Sequence, residues 1–384
     1  MIYCNCAATS YPKPQPVLDA FQQAAAALPA GQFRGGSVVE AEDIFSACRE
    51  KLASILGIRH ADRIFFSSGA TDSLNALFHG FGLSSDNVIT TATEHNSVLR
   101  PLCNRAIHGG ELRIVPCDED GFVDPEDFQR ELNRHSPSGC KAIVLNHCSN
   151  VTGAVQNVSA IGHIAKEHGL LFILDCSQSA GCIPIHADEW GVDALVFTGH
   201  KSLFGLQGTG GYYISPALNP QPFRFGGTGR DSSRLLYDVS DYEYEPGTQN
   251  LPGISALNTA CELFLSEGIA QVFAQESKRR EFLIRELSQI TGLHILGRET
   301  SAERQYGPLV SVTVDGMASS DVSYILQNAY GIITRSGLMC APLIHPFLHT
   351  GKDGVVRLSF SRFTSQAELQ QAADALREIA SAQA

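Results

Sequence analysis

The feature that most constrains this chain is an alternation. Short apolar runs at 63–66, 87–91, 111–115, 141–145, 170–174, 194–197 and 211–214 are separated by helical stretches or loops. Helical patterns occur at 72–81, 124–132 and 158–168. Strands alternating with helices imply βαβ crossovers and a mostly parallel sheet. Ahead of them, 40–56 places Ile44, Phe45, Cys48, Leu52, Ile55 and Leu56 on one helical face, and Gly57 stops the helix.

Near Pro252 the texture changes. Helical stretches at 257–264 and 269–290 are followed by apolar runs at 309–314 and 355–360 and a helix at 366–380. This predicts a smaller α+β domain over 253–384, after a large domain over 1–252 whose N-terminal segment packs on the small one. The 384 residues are enough to bury a core in each.

Composition narrows the function classes. A formal net charge of −12 gives no support for nucleic-acid binding or for attraction to anionic membranes. A local Arg cluster can still attract a small anionic substrate. The N-terminus has no basic stretch followed by an apolar core, and runs such as 170–174 are too short to span a bilayer. Eleven cysteines, without Cys-x-x-Cys pairs, fit reduced thiols in a cytoplasm. Cys4 and Cys6 have no second pair to complete a zinc site, so no metal is expected.

In open α/β sheets, ligands bind outside the carboxyl ends of the strands. The run ending at Phe66 leads into Ser67-Ser68-Gly69-Ala70-Thr71 and a helix. Such a turn offers free N–H groups and a favourable dipole for a phosphate, or it is an ordinary helix cap. The run 87–91 is followed by His95, which could stack on a ring, act as acid or base, or lie in a surface loop. Asn150 follows the run 141–145 and could orient a carboxylate or hold a turn. Asp175 directly follows Leu174, where a buried carboxylate needs a partner. Lys201 closes Thr198-Gly199-His200-Lys201, and desolvation there would free a neutral amine for Schiff-base chemistry. A phosphate turn, a ring-stacking candidate, a buried acid and a buried amine are what pyridoxal 5′-phosphate requires. The glycine run 205–211 lacks P-loop and dinucleotide spacing and predicts a tight turn into the next strand.

The segments AATSYPKP (7–14), SSGATDSLN (67–75), TEHNSVL (93–99), SNVTG (149–153), LDCSQS (174–179), FTGHKS (197–202), EPGTQN (245–250) and RSGLMCAP (335–342) span nearly the whole chain. They resemble the class V, fold-type I pyridoxal-phosphate enzymes, within them the cysteine desulfurase and selenocysteine lyase group. The resemblance implies a large domain with a mostly parallel seven-stranded sheet and a smaller C-terminal α+β domain. It implies that Lys201 carries the cofactor, Asp175 pairs with the pyridine nitrogen, Gln178 contacts the ring hydroxyl and His95 stacks on the ring. Ala70, Thr71, Thr198 and His200 would hold the phosphate. Thr248 would reach the phosphate of the neighbouring subunit and Arg34 would approach the partner's site, which implies a homodimer with shared active sites. Asn150 and Arg357 would hold the substrate carboxylate.

The activity so implied is conversion of L-cysteine to L-alanine, with the sulfur taken by Cys340 as a persulfide for a possible acceptor protein. Met339 stands where relatives often have His, and Cys4-Asn5-Cys6 where they usually read Leu-Asp-Asn. A class V aminotransferase or a C–S (or C–Se) lyase would use the same site without a thiol.

Overall fold

The computed structural model describes residues 1–27, 39–83, 87–106, 112–134, 139–227, 233–236, 244–298 and 304–382. The chain opens with a short strand, β1 (Ile2–Tyr3), and then helices α1 (Gln15–Ala26) and α2 (Val39–Leu56). The main sheet follows. Its strands in chain order are β2 (Ile64–Ser67), β3 (Asn87–Thr91), β4 (Leu112–Val115), β5 (Cys140–Asn146), β6 (Leu171–Asp175), β7 (Ala194–Thr198) and β8 (Gly210–Ile214). Across the sheet they lie in the order β2-β8-β7-β6-β5-β3-β4. All pairings are parallel except those of β8, which runs against both β2 and β7. The seven expected apolar runs are these seven strands.

Four helices connect the strands: α3 (Ala70–Gly80), α4 (Asn96–Ala106), α5 (Pro125–Arg134) and α6 (Val158–Glu167). Periodicity pointed to α3, α5 and α6. It did not point to α4, where Pro101 interrupts a polar sequence. Strands β7 and β8 are buried along their whole length, so their apolar runs are continuous rather than alternating. The glycine run before β8 allows close approach of two backbones. A Cβ on Gly210 would lie 2.6 Å from Gly69 Cα. This seats the turn before α3 against the sheet.

The remaining elements are α7 (Leu251–Glu267), α8 (Ile269–Leu287), β9 (Leu293–Leu296), β10 (Leu309–Val314), α9 (Ser319–Tyr330), β11 (Ile332–Ile333), β12 (Arg335–Gly337), β13 (Val355–Ser359) and α10 (Gln366–Ser381). They build an antiparallel sheet in the order β12-β13-β10-β9, with its own buried core. Ile2 and Cys4 belong to that second core, and β1 pairs with β11, so the N-terminal segment packs on the smaller unit. The expected division at 252/253 falls inside α7. Packing draws it later: Ile254, Leu257, Cys261 and Phe264 of α7 belong to the core of the large sheet. Helix α8 spans both, with Val272 in the first core and Leu283 and Leu287 in the second. Among the described residues, no helix is long and apolar enough to cross a membrane.

Candidate active site

A cavity of about 320 Å³ opens at the carboxyl ends of the central strands. Ala70, Thr71, Thr198 and His200 lie on one side of it. Gly69 precedes α3 with φ 145°, and no side chain caps that helix, so its first N–H groups face the cavity without a side-chain acceptor. The buried Nδ1 of His200 also has no hydrogen-bond partner. Unpaired donors at a helix N-terminus suit a phosphate.

Asp175 ends β6 and is buried. Its Oδ1 accepts hydrogen bonds from Ser177 N, at 2.8 Å, and from Ser177 Oγ. Those bonds leave Oδ2 for a ligand. Burial raises the Asp175 pKa, and the Ser177 bonds and Lys201 oppose that rise. Lys201 lies on the cavity wall in the turn after β7. Burial lowers it to about 8, Asp175 opposes this, and Arg357 and Arg335 lower it further. Its neutral amine is therefore accessible near physiological pH.

His95 caps α4, whose first turn donates back to its carbonyl. Ser97 N donates to His95 Nδ1 at 3.0 Å, which places the ring proton on Nε2. Burial, with Lys201 and nearby arginines, lowers the ring to about 4, so it is neutral. Gln178 lines the cavity and donates from Nε2 to Ala7 O at 3.0 Å.

Arg357, on β13, is 2% exposed. It donates to Asn150 O at 2.8 Å and to Asn5 Oδ1 at 3.3 Å, and its Nε has no partner. No carboxylate among the described residues pairs with it. Burial, with Arg335 alongside, lowers it to about 9. A buried guanidinium left unpaired at a cavity is a binding point for a carboxylate. Asn150 Nδ2 donates to Met339 O at 2.7 Å, and its Oδ1 is unpartnered.

The donors and acids fit the cofactor that the sequence pointed to. A sequence profile described as "Aminotransferase class-V" matches residues 2–372. The chain belongs to the class V aminotransferase family. It is a pyridoxal-phosphate enzyme of fold type I. A "Probable cysteine desulfurase" of Methanothermobacter thermautotrophicus is 30% identical over 99% of this chain and 94% of that protein. One of the same description from Chlamydia trachomatis is 28% identical over 98% and 94%. The apo cysteine desulfurase of Thermococcus onnurineus superposes with a TM-score of 0.88 at 27% identity, covering 99% of this chain and 95% of that one.

In this class V chain the cavity gathers most of the expected site residues: His95, Ala70, Thr71, Asn150, Asp175, Gln178, Thr198, His200, Lys201 and Arg357. Cys340 does not itself line the cavity, but its neighbour Met339 does. Met339, 3% exposed, lines the cavity, and the half-exposed Cys340 follows it. Both are in the left-handed region, with φ 53° and 58°. Thr248 is exposed and lines a second cavity of about 200 Å³ beside Ser68 and Asp72, apart from Lys201. Arg34 lies outside the described residues. Site residues that the sequence did not single out are Asn5, Ser97 and Ser177. Each acts through another group, and only Ser177, two positions after Asp175, had a local signal as a turn donor.

Proposed function

We propose that the protein is a cysteine desulfurase that converts L-cysteine to L-alanine and takes the sulfur on Cys340. The observation that supports this best is the setting of one thiol. Of the eleven cysteines, nine are buried and Cys103 is exposed; Cys340 is half-buried, with Arg335 Nη2 at 3.6 Å from its Sγ.

Pyridoxal phosphate, when bound, supplies the electron sink that lets the substrate Cα–H bond break. The chain's own residues do the rest. Ala70, Thr71, Thr198 and His200 would hold the phosphate, and Asp175 Oδ2 would hold the proton on the ring nitrogen. Neutral His95 would stack on the ring. Arg357 and Asn150 orient the substrate carboxylate. The Lys201 amine, lowered to about 8, carries the α-proton. The Cys340 thiolate attacks the substrate sulfur. As the S–S bond forms, the Cβ–S bond breaks and its electron pair stays on carbon, which is protonated to give alanine. The persulfide then passes its sulfur to an acceptor thiol.

A homodimer with shared sites belongs to the same reading. Thr248 is exposed and lines a cavity that Lys201 does not line, and in the partner's site it would serve the phosphate. Mixed dimers of Lys201→Ala and Thr248→Val chains should regain activity that neither homodimer has. A fully active monomer would sink the shared site.

A specific observation favours a second reading. Met339 forms the cavity wall where a proton donor would help the thiol, so a C–S lyase or aminotransferase could work without Cys340. Incubation with L-cysteine decides. Alanine with one persulfide per site supports the desulfurase, whereas pyruvate with ammonia, or a keto-acid co-product, supports the alternative.

A further inference from the structure

The backbone carbonyl of His200 is surrounded by donors from the N-terminal segment. It accepts from Ser10 N at 3.0 Å, Ser10 Oγ at 3.0 Å, Thr9 Oγ1 at 3.2 Å and Lys13 Nζ at 3.1 Å. Lys13 Nζ also donates to Ser10 Oγ at 2.7 Å. A carbonyl oxygen has two lone pairs, so four donors from one short segment share it and fix its direction. This carbonyl belongs to the peptide that ends at the nitrogen of Lys201. Its orientation sets where the Lys201 side chain starts.

The same segment is anchored at its other end. Cys6 N donates to Ser359 O at 3.1 Å, Ala7 N to Ser359 Oγ at 2.9 Å, and Asn5 Oδ1 accepts from Arg357. Strand β13 therefore reaches the Lys201 peptide through residues 5–13.

The geometry points to Lys13 as a positioning residue: with Thr9 and Ser10 it grips the His200 carbonyl and thereby fixes the Lys201 amine against the cofactor. This rests on the assignment of Lys201 as the lysine that carries the cofactor. Lys13 is half-buried, and burial lowers its pKa to about 8, with Cys6 nearby opposing the shift. Its cation also lowers His200, after burial and Lys201. The charged and titratable groups facing Lys201 are Asp175, Arg357, Arg335, Cys340, His95, His200 and Cys148. Lys13 adds a cation on the backbone side of that ring of groups.

The test uses Lys13→Met and Lys13→Arg holoenzymes. Two quantities are read: the pH midpoint of the visible absorbance of bound cofactor, and kcat against KM for L-cysteine. Removing the nearby cation should raise the midpoint by a few tenths of a pH unit. We expect kcat to fall about ten-fold with KM little changed, the pattern of lost alignment rather than lost binding. Lys13→Arg should restore both quantities most of the way. A folded Lys13→Met with midpoint and kcat at wild-type values overturns the proposal. So does equal impairment of both variants with an unmoved midpoint, which would mean packing alone. If Lys13→Met does not accumulate, Lys13→Gln reads the same midpoint, and an unchanged value again overturns it. Borohydride labelling of wild type separates the underlying assignment: label on a lysine other than Lys201 refutes that assignment, whatever Lys13 does.

Discussion

Arg335 Nη2 lies 3.6 Å from Cys340 Sγ, the single guanidinium contact of that thiol among the described residues. The two are five residues apart, on either side of Gly337. Arg335 belongs to β12, and Cys340 follows Gly337 at φ 58° with its neighbour Met339 at φ 53°. Consecutive left-handed non-glycine residues are held by outside contacts: Asn150 Nδ2 on Met339 O, Asn96 N on Cys340 O at 2.6 Å, and His345 Nε2 on Leu338 O at 3.1 Å. The thiol therefore has a defined position next to Met339.

Cys340→Ala should keep the yellow colour of the holoenzyme and lose alanine formation. Wild-type L-cysteine turnover in Cys340→Ala would make the thiol a bystander.

Asp175→Asn should leave fold and cofactor binding largely intact and reduce kcat by roughly 100-fold, the scale of removing one charged partner from a reacting centre. Steady-state kinetics on the reconstituted variant measure it. A loss of only a few-fold would mean that Asp175 merely closes β6.

Arg357→Met removes a buried charge that has no carboxylate partner. KM for L-cysteine should rise roughly 10- to 100-fold through loss of a charge-assisted contact. Thermal unfolding should change by no more than about 1 kcal/mol, because replacing an uncompensated buried ion by an apolar chain costs little. A steep loss of stability with unchanged KM would contradict a substrate role.

Glu94 is fully buried beside the site. Its Oε1 accepts from Thr91 Oγ1 at 2.9 Å and Asn146 N at 2.8 Å, and Oε2 has no partner. Burial pushes its pKa from 4.5 up to about 8, and Asp175 adds to the rise. The folded protein then holds a proton that the unfolded chain releases. Stability contributed by this group is complete below about 4.5 and is lost as pH rises through about 8. Glu276 behaves alike and shares the window. Glu94→Gln should reduce the fall in unfolding free energy from urea titrations between about pH 5.5 and about pH 8.5 by roughly 1–3 kcal/mol. An unchanged pH slope would show Glu94 already ionised.

The sequence by itself determined the main sheet and placed the candidate residues at its ends. Apolar runs have a local signature, and a chain leaving a buried strand puts the next few residues at the sheet edge. Thus position alone raised Asp175 and Lys201 as candidates, while a role for Thr198 came only through the resemblance. Local pattern also carried α3, α5 and α6, but not α4, whose polar, Pro-interrupted sequence is helical only because it packs on the sheet. Tertiary structure alone decided the contacts between distant parts of the chain. Asn5 meets Arg357, and Thr9, Ser10 and Lys13 meet the His200 carbonyl, because β1 and the segment after it dock on β11 and β13. Helix α7 joins the core of the large sheet although the texture of the chain changes before it. Such pairings are set by which surfaces bury each other once the units assemble, and no periodicity in either segment records them.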